Sequence, residues 1–115
     1  MALLPSVRDL SARTTLLSLP PEIDVCNARD LFLHVMSVAD AREGRLRLLV
    51  LDLTGTSFMD SQGVRLVGDI QHRLRPHVQV RVVAGSSGLA SRVLEMTGVR
   101  RDVPVYDDLG EAVRS

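Results

Sequence analysis

No lysine occurs anywhere in the sequence; the basic residues are all arginine. Chemistry that needs a lysine, as a Schiff-base amine or a phosphate anchor, is therefore excluded. Tryptophan is absent too, and two Phe and one Tyr make up the whole aromatic content. A core must then be built from Leu, Val, Ile, Met and Ala, and 45% apolar residues suffice for one. Excess charge of either sign is also missing, because 14 arginines balance 14 acids. A nucleic-acid binder shows a basic excess or stripe, so direct nucleic-acid contact is not expected. Cys26 is the lone cysteine, which rules out an internal disulfide and fits a reducing, cytoplasmic setting. A small residue, buried or half-buried, is the expectation for it. No stretch nears the ~18 apolar residues of a membrane span, and the start lacks a signal peptide's basic and apolar segments.

At 115 residues the chain is the size of one domain, and residues 1–115 are read as a single unit. Residues 3–10 make a weak edge strand interrupted by Pro5. Residues 14–19 make a better strand, ended by Pro20 and Pro21. A first helix starts between Asp24 and Asn27, carries Ala28, Leu31, Phe32, Val35, Val38 and Ala39 on one face, and stops at Gly44. The nearly unbroken apolar run at 46–53 suits a central strand covered on both faces. A turn at Thr54, Gly55 and Thr56 leads to a second helix with Val64, Val67, Ile70 and Leu74, stopped by Pro76. Residues 78–84 alternate as a strand, and Gly85, Ser86, Ser87 and Gly88 turn into a third helix closed by Gly98. A short strand at 103–106 and a last helix at 107–113, capped by Asp107 or Asp108, complete the chain. The order β-β-α-β-α-β-α-β-α predicts an α/β fold: a mainly parallel sheet of four to five strands with about four helices.

The segment from Leu48 to Gly63 carries the chemistry. A buried strand delivers the chain to an exposed loop, and the loop ends at Ser61 in the first turn of a helix. Its hydroxyl is suited to capping that helix. The free N–H groups and the helix dipole also favour an anion there, such as a phosphate on the same oxygen.

Leu49, Val50, Leu51, Asp52 and Leu53, then Phe58, Met59, Asp60 and Ser61, then Gly63, resemble the core motif of the STAS domain of bacterial anti-sigma factor antagonists. Glu22, Ile23, Asp24 and Val25 followed by Ala28 are similar to that family's motif before its first helix. Residues 93–99 resemble the end of its third helix, and 106–112 fit its closing strand and helix. The four pieces fall in register over essentially the whole chain. The resemblance implies a protein that binds proteins and catalyses nothing, with no cofactor. Ser61, after Asp60, matches the serine phosphorylated by an anti-sigma factor that is itself an ATP-using serine kinase. The unphosphorylated form would bind that kinase and free a sigma factor; a metal-dependent serine phosphatase would reset the phosphorylated form. Asp24, Asp60, Ser61, Gln62, Gly63 and Arg65 are the expected partner-binding residues, and a homodimer is left open. The chain departs from the family at three places: Pro21 replaces a glycine, Gln62 a Ser or Thr, and Arg65 a glycine. Arg65, four residues beyond Ser61, either pairs with a phosphate or faces solvent or partner, the latter preferred.

Other readings fare worse. Asp52, Leu53, Thr54, Gly55 and Thr56 resemble the phosphorylated motif of P-type ATPases, but those enzymes need a lysine and a far longer chain. A receiver domain phosphorylated on Asp52 fails for the same lack of lysine, so Asp52 reads as the polar end of a buried strand. Ser61 lacks the Gly-x-Ser-x-Gly setting of a hydrolase nucleophile. His34, His72 and His77 read as surface or partly buried residues, and no cluster has metal-ligand spacing. The remaining alternatives are a small-molecule binder and a STAS scaffold or sensor that is never phosphorylated, serving a transporter or a stress complex.

Overall fold

Alternation of apolar side chains along one buried strand organises the molecule. In the computed structural model, which describes residues 5–85, 88–98 and 103–114, the apolar run forms strand β4 (Leu48–Asp52). Strands β1 (Ser6–Asp9), β2 (Thr14–Ser18), β6 (Gln79–Val83) and β7 (Val105–Tyr106) join it in the order β1-β2-β4-β6-β7. Every neighbouring pair is parallel except β1 with β2. Successive side chains of a strand point to opposite faces. Leu49 and Leu51 of β4 therefore enter one core with Leu17, Val80 and Val82, whereas Leu48 and Val50 enter the other with Leu16 and Val83. Both faces are covered, as the unbroken run predicts.

Helices α1 (Ala28–Asp40), α2 (Ser61–Leu74) and α3 (Leu89–Thr97) cover the first face. Leu31, Val35 and Val38 of α1, Leu66, Val67 and Ile70 of α2, and Ala90 and Leu94 of α3 supply the packing. The short α4 (Leu109–Arg114) covers the second face through Ala112 and Leu109. Arg81 ties α4 down, donating from Nη1 to the Ala112 carbonyl at 2.7 Å. The expected caps are partly realised. Gly98 closes α3 at φ 79°, and Asp108 accepts from the Glu111 N–H at 2.9 Å to start α4. Helix α1 stops at Asp40, before Gly44, which takes φ 88° in the following turn.

The sheet edge is held by a polar clamp. Asp9 on exposed β1 receives two bonds from the Arg42 guanidinium, at 2.8 and 3.1 Å, and one at 2.7 Å from the buried Thr15 hydroxyl. The Arg42 and Thr15 donors hold the Asp9 carboxyl at a pKa of about 2, below its ordinary 3.8. Arg42 also donates to the Val38 carbonyl at 3.0 Å, so one side chain joins β1 to the end of α1.

Two strands escape sequence reading altogether. Strand β3 (Glu22–Ile23) pairs in parallel with β5 (Phe58–Met59) as a separate two-stranded sheet. Two residues are too few to show a period. The expected edge strand at 3–10 is confined to Ser6–Asp9 among the described residues, and the turn residues Ser86 and Ser87 lie outside them.

Candidate functional site

The small β3–β5 sheet builds the site. Glu22 lies opposite Phe58 and Ile23 opposite Met59, and the Asp60 N–H donates to the Ile23 carbonyl at 3.2 Å. Asp24 and Asp60 consequently leave the sheet side by side. Upstream, the 54–57 loop is zipped onto prolines that need only offer carbonyls. The Pro21 carbonyl accepts from the N–H groups of Ser57 (2.8 Å) and Phe58 (3.1 Å), and the Pro20 carbonyl from the Thr56 hydroxyl (2.9 Å). Proline at this point thus costs the loop no hydrogen bond.

Each carboxylate is spent on local order. Asp24 accepts from the Cys26 N–H at 2.9 Å, while its own N–H donates to Asn27 Oδ1 at 3.0 Å. Asn27 Nδ2 in turn donates to the Glu22 carbonyl at 2.7 Å, so the loop before α1 is braced on itself. Asn27 occupies the N-cap position of α1, yet its side chain looks backward and caps nothing. This loop carries Cys26 outward, and the thiol is exposed rather than buried or half-buried as its type suggests.

Asp60, not Ser61, is the N-cap of α2. Its backbone is extended (φ −98°, ψ −169°), and Oδ1 accepts from the Gln62 N–H at 2.8 Å. Ser61 is displaced by one position to the first residue of the helix, where it is exposed and its hydroxyl makes no hydrogen bond among the described residues. With the carboxylate already capping, the serine oxygen is left available.

Gly63, expected among the partner-binding residues, is buried and belongs to the packing of the site. A Cβ there would run into the Met59 side chain and come within 3.1 Å of Ile23 Cγ2, so glycine lets the first turn of α2 rest on β3 and β5. Gln62 is half-buried and Arg65 exposed; Arg65 Nε lies 3.9 Å from Asp69 Oδ2. Both line a shallow groove of about 300 Å³ between α1 and α2, with Ala28, Arg29 and Phe32 on one wall and Leu66 and Asp69 on the other.

Sequence reading missed the apolar part of the surface. Val25 is 70% exposed and Phe58 46%; Val25 follows Asp24 in the loop after β3, and Phe58 precedes Met59 on β5. The available signal was the alternation of β5, which sends Met59 inward and Phe58 outward. Elsewhere the structure supports the modest readings. Asp52 Oδ1 accepts from both the N–H (2.9 Å) and hydroxyl (2.6 Å) of Thr54, closing a turn at the strand end. His72 stands eleven residues along α2 from Ser61, about 16 Å at helical rise, too far to activate it.

The site is thus an exposed helix-start serine on a mainly parallel-sheet domain, with two carboxylates and two exposed apolar side chains in the segments that build it. The chain belongs to the STAS domain family, whose model matches residues 7–112. Its structure is similar to an anti-sigma factor antagonist from Mycobacterium paratuberculosis, at 26% identity and a TM-score of 0.83, covering 96% of this chain and 90% of that one. It is similar to the Bacillus cell fate determinant SpoIIAA in the phosphorylated form (18% identity, TM-score 0.65, 96% of each chain). The murine anion transporter Slc26a9 also contains a similar region, at 17% identity and a TM-score of 0.65, covering 87% of this chain but 17% of that one. No curated protein matches the sequence. Among the described residues no helix is long and apolar enough to cross a membrane.

Proposed function

We propose that the protein is an anti-sigma factor antagonist controlled by phosphorylation of Ser61. The observation that carries this reading is the exposed, unengaged Ser61 hydroxyl at the first position of α2, with Val25 exposed in the loop after β3 and Phe58 exposed on β5. The unmodified form docks on an anti-sigma serine kinase through Asp24, Asp60, Ser61, Gln62 and Arg65, and a sigma factor is released. The kinase then transfers the γ-phosphoryl group of ATP to Ser61 Oγ; ADP leaves and the hydroxyl proton passes to a base of the kinase. A serine phosphatase hydrolyses the ester and restores the docking form. The likeness to an anti-sigma factor antagonist and to a phosphorylated SpoIIAA supports the assignment.

Physical chemistry makes the switch sharp without a large rearrangement. Phosphate adds about −1.5 to −2 charges at neutral pH. Next to Asp60 and Asp24, in a docked and partly dehydrated interface, that charge costs a few kcal/mol, on the order of the penalty for an unpaired buried ion. Incubation with the kinase and ATP, read on a phosphate-affinity gel, tests the reading. One retarded band is expected for the wild type and none for Ser61→Ala. A scaffold STAS domain that is never phosphorylated, the reading that the transporter likeness raises, predicts no retarded band in either.

A further inference from the structure

Arg65 stands four residues beyond Ser61, and in a helix such a pair shares one face with Cβ atoms about 5–6 Å apart. Long helical side chains tend to lean back toward the helix start, so position 61 is within reach of the guanidinium once it leaves Asp69. Its present partner holds it loosely: Arg65 Nε is 3.9 Å from Asp69 Oδ2, with the two side chains 74% and 58% exposed. That pair also runs in the weaker order, cation before anion along the helix. A phosphate on Ser61 would set anion before cation, the favoured order, and would offer a dianion in place of a single carboxylate. Asp60 on the preceding residue and Asp24 beside it repel the phosphate from the other side.

We propose that Arg65 is the internal counter-ion of a phosphate on Ser61: on phosphorylation it leaves Asp69 and forks onto the phosphate oxygens. The proposal rests on the reading of Ser61 as a phosphorylation site. It adds a second half to the switch. Arg65 and Arg29 supply the cations of the α1–α2 groove. Once Arg65 is drawn to the phosphate, the groove loses one of them at the same moment that its neighbouring serine becomes an anion. No backbone movement is needed, because both groups are exposed on one helix.

The test uses the full chain carrying phosphoserine installed at position 61 during translation, so that no kinase is involved. Phosphorus NMR follows its second ionisation with pH in the wild-type sequence, in Arg65→Gln and in Arg29→Gln. Loss of the arginine is expected to raise that pKa by about 0.3 of a unit, with the difference shrinking in 1 M salt. Arg29→Gln is expected to leave it unchanged. Coincident titrations for the wild type and Arg65→Gln overturn the proposal, as does an equal shift in Arg29→Gln. Failure of the kinase to modify Ser61 would instead overturn the underlying function, and it leaves this measurement intact.

Discussion

At Ser61 the division of labour between adjacent residues decides what the hydroxyl is free to do. Asp60 caps α2, so truncating it removes a cap while truncating Ser61 does not. Asp60→Ala is expected to lower stability by about 1 kcal/mol in urea unfolding, and Ser61→Ala to leave the midpoint nearly unchanged. Ser61→Asp places a carboxylate at a helix start, where it is worth about 0.3–1 kcal/mol, partly offset by Asp60. That variant is expected to melt at or slightly above the wild-type temperature and yet to bind the kinase more weakly; unfolding would make Ser61 a structural residue. Phe58→Ala should weaken kinase binding roughly tenfold with little effect on melting, since the ring is half-exposed. The sequence shows two oxygen-bearing residues in succession and does not show which one caps. The choice lies in the extended backbone of Asp60, which follows from its hydrogen bond to Ile23, a contact distant in sequence. Cys26 was misjudged for a similar reason, because the Asx turn of Asp24 swings it outward.

The elements divide by length into those the sequence reveals and those it conceals. Strand β4 and helices α1 and α2 announce themselves through runs or faces of apolar residues long enough to repeat. Strands β3 and β5 have two residues each and no repeat to display, yet they set Asp24 beside Asp60. What the motif resemblance reported as separate fragments, the parallel pair joins into one site. Gly63 is the element-scale joint. Gly63→Ala is expected to cost about 1–3 kcal/mol, because the new methyl meets buried Met59 and Ile23 where α2 crosses the small sheet. A urea midpoint unchanged by that substitution would show that the first turn of α2 is loosely seated. The edge clamp gives a pH signature. Asp9 is held at about 2 against an ordinary 3.8, so its contribution is complete above pH ~4 and fades as pH falls toward 2. Arg42→Gln should remove that part of the acid-induced loss, making stability fall less steeply between about pH 4 and 2.

For the whole molecule, the 14 arginines balance the 14 acids and the sheet is covered on both faces, so no net charge steers a partner. A phosphate on Ser61 would change charge locally: one dianion at the start of α2, next in sequence to the capping Asp60. The fold class and the order of the longer elements were legible because they rest on periodicity and motif. The exposure of Val25 and Phe58 and the burial of Gly63 were not, since they depend on which way short strands and their flanking loops face. The central claim is a difference in affinity between two forms of a single oxygen. Calorimetric titration of the anti-sigma kinase with the unmodified chain and with the chain carrying phosphoserine at 61 measures it directly. The account predicts tight binding of the first and at least a hundredfold weaker binding of the second, about 3 kcal/mol. Equal affinity of the two forms would contradict it.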